Sequence, residues 1–177
     1  LAKEYADLNG DSLVNVSAEE RKKALVDYAL PKNIEKMQAD MEKYKIFYDK
    51  WFFESELHKS GAVKAVVDLL TKKGLTYEKE GAVWYKNKEV LTQKLLKEGK
   101  SQKYIDNLEL KDDVLIRQNG NPTYFTADIA YHKNKFDRGF TTLIDVWGAD
   151  HHGHVMRMKG AMDAIGYDGD KLNVVLM

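Results

Sequence analysis

The chain has 177 residues, 44% of them hydrophobic and 11% aromatic, which is enough apolar content for a packed core and against wholesale disorder. Its 28 Lys+Arg balance 28 Asp+Glu, so overall charge gives no argument for a nucleic-acid partner, although a neutral chain can carry a local basic face. The absence of cysteine excludes a disulfide framework, thiolate catalysis and a cysteine zinc site, and no apolar run approaches the roughly 20 residues of a membrane span.

The N-terminus LAKEYADLNGDS is polar, with no signal-peptide core and no initiator Met, so a cytoplasmic piece of a larger gene product is expected. A first helical stretch breaks at Asn9-Gly10-Asp11. Ser17-Ala18-Glu19-Glu20 spells a capping box, and apolar residues at helical spacing follow through Tyr44. Pro31 should break or kink that helix near Leu30. The aromatic-dense stretch Tyr44–Phe53 reads as a strand and its exit. Residues 61–73 form an amphipathic helix that Gly74 can cap, and two short runs around Glu80-Gly81 predict a β-hairpin. Residues 87–111 are lysine-rich, with a helix over about Val90–Glu98.

From residue 113 the pattern is strand, turn at Gln118–Asn121, and a second strand over 122–125. Thr126 can then cap a helix to about Phe136; Thr142–Val146 is a strand, Asp150 opens a helix ending at Gly166, and 172–177 is a last strand. The order β-α-β-α-β from about 122 to 177, with short links, implies parallel strands, half of a doubly wound α/β sheet. Half a sheet leaves an edge exposed, so self-association or a domain-swapped dimer is expected.

Two polar clusters carry the chemistry. Tyr124 and Asp128, four residues apart from a strand end into a helix, can both point into one crevice, where an aspartate suits an amine or guanidinium. An ordinary first-turn Asp favoured by the helix dipole is the competing reading. Gly148-Ala149-Asp150-His151-His152-Gly153-His154 follows a buried strand, the position at which open α/β sheets bind ligands. Asp150 there can accept from a ribose hydroxyl or cap the next helix. The same residues also invite a metal reading, and Asp150-His151-His152 resembles the signature of the DHH phosphoesterases. That family needs further upstream aspartates, which are absent in the required setting. An RNA-binding module using Lys94, Lys97, Lys100 and Lys103 is a third reading.

The stretch DIAYHKNKFDRGF followed by IDVWGADHHGHVMRMKGAMDAIGYD closely resembles the catalytic domain of bacterial-type arginyl-tRNA synthetases. YKIFYDKWFFESELHKSG and YEKEGAVWYK resemble upstream motifs of the same family in the same order, while residues 88–117 fit least. The resemblance implies a partial Rossmann-like fold, with 1–118 a connective insertion subdomain and 119–177 the second-half catalytic segment. It implies an arginine pocket lined by Tyr124, Asp128 and His152, and an ATP site at Gly148, Asp150 and His151. It also implies a parent enzyme that joins L-arginine to tRNA(Arg) using ATP and Mg²⁺. His154 fills the last place of the family's G-x-D-x3-H pattern. The family's H-x-G-H signature belongs far upstream of this region, and His151–His154 spells it out of context. The K-M-S-K loop is absent. The chain is therefore expected to be an internal fragment, inactive alone, with no tightly bound cofactor.

Overall fold

Ser17 opens the longest helix as its spelling requires. In the computed structural model, which describes residues 1–177, Leu1–Trp51 and Phe52–Met177 form two separate units. The first holds α1 (Ala2–Asn9) and α2 (Ala18–Lys43). The Ser17 hydroxyl accepts from the Glu20 amide, and the Glu20 carboxylate accepts from the Ser17 amide, so two orphan donors are satisfied reciprocally. Neither helix has a buried residue. They are joined instead by Tyr28 stacked edge-on to Tyr5, with the Tyr28 hydroxyl and Lys32 both bonded to Glu4.

Two expectations change in this unit. Of the break or kink expected at Pro31, the break does not occur, since α2 runs through it. One helical hydrogen bond is lost there, but Tyr28 and Lys32 flank the proline and fix both sides to the same carboxylate. Nor is there a strand in 44–53. Lys45 takes a left-handed φ of 57°, and the amides of Lys45 and Ile46 bond back to Glu42 and Met41. That closure ends the helix and turns the chain. The aromatics that follow find no strand to pair with, and β-propensity without a partner does not make a sheet.

The second unit begins with α3 (Glu54–Lys59) and α4 (Ala62–Lys72). Gly74, at φ 73°, closes α4 as a Schellman motif, with its amide on Thr71 and that of Leu75 on Leu70. The hairpin forms as read, β1 (Thr76–Lys79) against β2 (Ala82–Tyr85), with Glu80 and Gly81 both left-handed at the turn. α5 (Asn87–Lys97) and α6 (Gln102–Asn107) follow, and β3 (Asp113–Ile116) adds to β2 antiparallel. Then come α7 (Tyr124–Asp137), β4 (Leu143–Trp147), α8 (His152–Ile165) and β5 (Leu172–Leu176).

The parallel arrangement is realised only in part. β4 and β5 pair in parallel from Leu143 opposite Leu172 to Trp147 opposite Leu176, with α8 as the crossover. β3 belongs to the antiparallel three-stranded sheet β1-β2-β3. The strand expected over 122–125 reduces to a single bridge between Pro122 and Ile116. Thr123, not Thr126, caps α7. Its hydroxyl donates to the Val114 carbonyl, while the buried Thr126 hydroxyl donates to Leu115. Both threonines thus tie the helix start to β3, and the chain turns helical too early to extend. One core runs through this unit, built from residues such as Val66, Leu70, Tyr85, Leu115, Ile129, Met158 and Leu172.

Candidate substrate site between α7, β4 and α8

Because α7 starts at Tyr124, Tyr124 and Asp128 stand one turn apart on the same helix. Tyr124 is strongly exposed, and the Asp128 side chain is 45% exposed. Neither therefore bears the cost of full desolvation. The Asp128 carboxylate accepts from Nε2 of His154 at 3.2 Å, across 26 residues of sequence. His154 is 17% exposed and held between rings, edge-on to Phe125 at 5.5 Å and tilted against Trp147 at 5.2 Å. One turn further along α8, Arg157 grips the Asp113 carboxylate with two nitrogens and lies 4.9 Å from the Phe125 ring centre. Burial pushes the Asp113 carboxyl above its ordinary value, against the pull of Arg157.

Beneath this layer lies a buried charged cluster. His132 and Asp145 are both buried, and His132 Nε2 stands 2.5 Å from Asp145 Oδ2. Lys135 donates to Oδ1 of the same carboxylate at 2.6 Å. His132 Nδ1 lies 2.7 Å from the backbone carbonyl of Asp128. The ring therefore ties β4 to the turn of α7 that carries Asp128. Burial works to raise the Asp145 carboxyl, but the hydrogen bonds from His132 and Lys135 prevail and hold it below the usual carboxylate range.

At the C-terminal end of β4, Gly148 is extended, and a Cβ there would meet Asp150 Oδ1 at 2.5 Å. Asp150 and His151 lie on a single 3-10 turn, 82% and 60% exposed, with His151 Nε2 3.7 Å from Asp150. The His151 ring reaches Trp147 at 6.4 Å. His152 begins α8 and lines a cleft of about 910 Å³ with Leu91, Asp113, Met156, Arg157 and Val174. Tyr124 and Asp128 are not among the residues lining that cleft.

The arrangement suits recognition more than bond-making. A half-exposed carboxylate at the edge of an aromatic cluster favours a cation, and an open strand end beside it leaves room for a second ligand. No group of three or more His, Asp or Glu side chains is placed to hold a metal ion, so the phosphoesterase reading of Asp150, His151 and His152 lacks its metal pair. The basic RNA face is weakened as well, since Lys94 is bonded to Asp163 at 2.7 Å.

The sequence reading missed the cluster His132–Asp145–Lys135 and the pairing of Asp128 with His154. β4 is not the fully buried strand expected, since Ile144 and Val146 face outward, but one signal was present: Asp145 interrupts the apolar run Leu143-Ile144-Asp145-Val146-Trp147, and a charge on the buried face of such a strand requires partners.

No protein-family model matches the chain. An arginine–tRNA ligase of Caldanaerobacter subterraneus is 53% identical over 177 residues, covering 99% of this chain and 28% of that protein. Another, from Ruminiclostridium cellulolyticum, is 49% identical over 98% of this chain and again 28% of its own length. The chain thus spans 28% of the length of these curated relatives. A crystal structure described as an arginyl-tRNA synthetase of Campylobacter jejuni superposes with a TM-score of 0.77 at 34% identity, over 99% of this chain and 34% of that one. The arginyl-tRNA synthetase of Thermus thermophilus, 18% identical with a TM-score of 0.67, covers 99% of this chain and 35% of its own and shares the fold.

Proposed function

The chain belongs to the arginine–tRNA ligase family, as a segment of about 28% of its relatives' length, and from that premise we propose that it carries the arginine pocket and part of the ATP site of an enzyme joining L-arginine to tRNA(Arg). The observation that carries this reading is the 53% identity maintained over 99% of the chain. The geometry supports it. Asp128 offers a carboxylate with one oxygen free of protein partners, suited to a guanidinium, with Tyr124 one turn before it. Gly148, Asp150 and His151 stand at the open end of β4, where adenosine would lie, whereas His152 at the start of α8 lines the cleft beside Asp113 and Arg157 that Tyr124 and Asp128 do not line, so its arginine role is without geometric support.

On this reading residues 119–177 are the second-half catalytic segment of a Rossmann-like fold, and 1–118 form the connective subdomain. The division is one of role, since the core of the second unit runs across it. ATP is a substrate here, and its Mg²⁺ finds no ready ligand set among these side chains. The whole enzyme works in the cytoplasm; no helix of this chain is long and apolar enough to cross a membrane. Self-association is supported by the exposed Ile144, Val146 and Val175 on the outer face of the β4-β5 pair. A monomer by sedimentation at high concentration counts against it.

Calorimetric titration of the purified chain with L-arginine, L-lysine and L-citrulline tests the pocket. Citrulline keeps the shape of arginine and loses the charge. Arginine should bind in preference, and Asp128→Ala should abolish the preference; equal binding of arginine and citrulline refutes the assignment. Without a K-M-S-K loop the chain should show no ATP–pyrophosphate exchange, and measurable exchange refutes that expectation.

A further inference from the structure

The carboxylate proposed to meet the substrate cation is not free to turn. Its backbone is fixed through the Asp128 carbonyl, which lies 2.7 Å from Nδ1 of the buried His132. What remains is side-chain rotation, and one group governs it: His154 Nε2, 3.2 Å from Oδ2. His154 is itself immobilised. Phe125 and Trp147 pack against its ring, and Arg157, one turn along the same helix, is locked to Asp113. A carboxylate oxygen only accepts, so the ring nitrogen facing it must carry the proton.

Each carboxylate oxygen has two lone pairs. A hydrogen bond from His154 to one lone pair of Oδ2 leaves the other, together with both on Oδ1, for a planar fork of two N–H groups. The bond thus presets the plane in which a guanidinium can dock with two hydrogen bonds. An ammonium, a point charge with no fork, gains nothing from that plane.

We infer that His154 is a specificity-determining residue of this cation site, holding Asp128 through an Nε2–H···Oδ2 hydrogen bond in the orientation that selects a guanidinium over an ammonium. The inference rests on the arginine pocket proposed above. Substitution His154→Phe keeps the ring packing on Phe125 and Trp147 and removes the donor. Substitution His154→Gln places an amide donor near the former Nε2.

The experiment is a set of calorimetric titrations of the wild-type chain, His154→Phe, His154→Gln and Asp128→Asn with L-arginine and L-lysine, together with ¹⁵N-imidazole NMR of the unliganded wild type and Asp128→Ala. His154→Phe should lower arginine affinity about tenfold, the value of one hydrogen bond to a charged group, with a smaller change for lysine. His154→Gln should restore the arginine-over-lysine ratio, which a purely structural role would not produce. The NMR should place the neutral-ring proton on Nε2 and show its exchange with water accelerated in Asp128→Ala. If Asp128→Asn loses the ratio and His154→Phe keeps it, the role of His154 is overturned and the pocket stands. If Asp128→Asn keeps the ratio, the pocket itself is wrong and the inference falls with it. A neutral ring carrying its proton on Nδ1 overturns the inference whether or not any ligand binds.

Discussion

Replacing Asp145 by alanine removes the one carboxylate that His132 and Lys135 share. Stripping a partner from a buried ion pair costs about 3–5 kcal/mol. Here the loss belongs at or below the lower bound. The Lys135 side chain is 16% exposed and can swing its ammonium into water, while His132, 4% exposed, keeps its Nδ1 contact to the Asp128 carbonyl. A loss of about 2–3 kcal/mol is therefore expected, with Asp145→Asn costing less because an amide still accepts a hydrogen bond. Urea unfolding followed by near-ultraviolet circular dichroism suits the measurement, since the Trp147 ring lies 6.2 Å from that of His132. Acid sharpens the test. The folded carboxyl titrates below the unfolded one, near 3.9. Its contribution is fully present above that pH and is lost as pH falls through the folded value. The difference in stability between wild type and Asp145→Asn should accordingly shrink as pH drops below about 4. An Asp145→Ala chain within about 0.5 kcal/mol of wild type, or a difference that does not change with acid, would refute the reasoning.

Pro31→Ala should stabilise α2 by about 2 kcal/mol, because it restores an amide donor inside a helix that already continues past this position; a lower helical melting point by far-ultraviolet circular dichroism contradicts this. A Cβ on Gly160 would approach Leu91 Cδ2 to 2.6 Å in the packed contact of α8 with α5, so Gly160→Ala should cost about 1–3 kcal/mol by overpacking. Combining it with Leu91→Ala, which opens that space, should cost less than the two losses added; additive denaturation energies would show that the contact is not the cause.

The departures from the sequence reading share a cause. Tyr44–Phe53 has the composition of a strand, yet a strand exists only where another chain segment offers its backbone, and no sequence window carries that information. In the sequence Thr126 reads as the cap of α7 and Thr123 as part of the preceding strand. The choice fell to Thr123 because β3 passes close enough to take both hydroxyls, which moved Tyr124 into the helix and set it one turn from Asp128. The pairing of β3 with β2 was decided in the same way, by which backbone lay alongside.

Sequence alone determined whatever is closed within a few residues: the capping box at Ser17, the Schellman turn at Gly74, the left-handed pair Glu80-Gly81, and the motifs through which the family is recognisable. The local structures among these rest on hydrogen bonds, backbone or side-chain to backbone, spanning five residues or fewer, so the residues that make them are written nearly side by side. Tertiary structure alone decided who partners the charges. Asp145 in an apolar strand announced that it needed cations without saying which, and Asp128 gave no sign of a histidine 26 positions away. A buried or half-buried charge must be compensated in space, and space is what folding, not chain order, assigns.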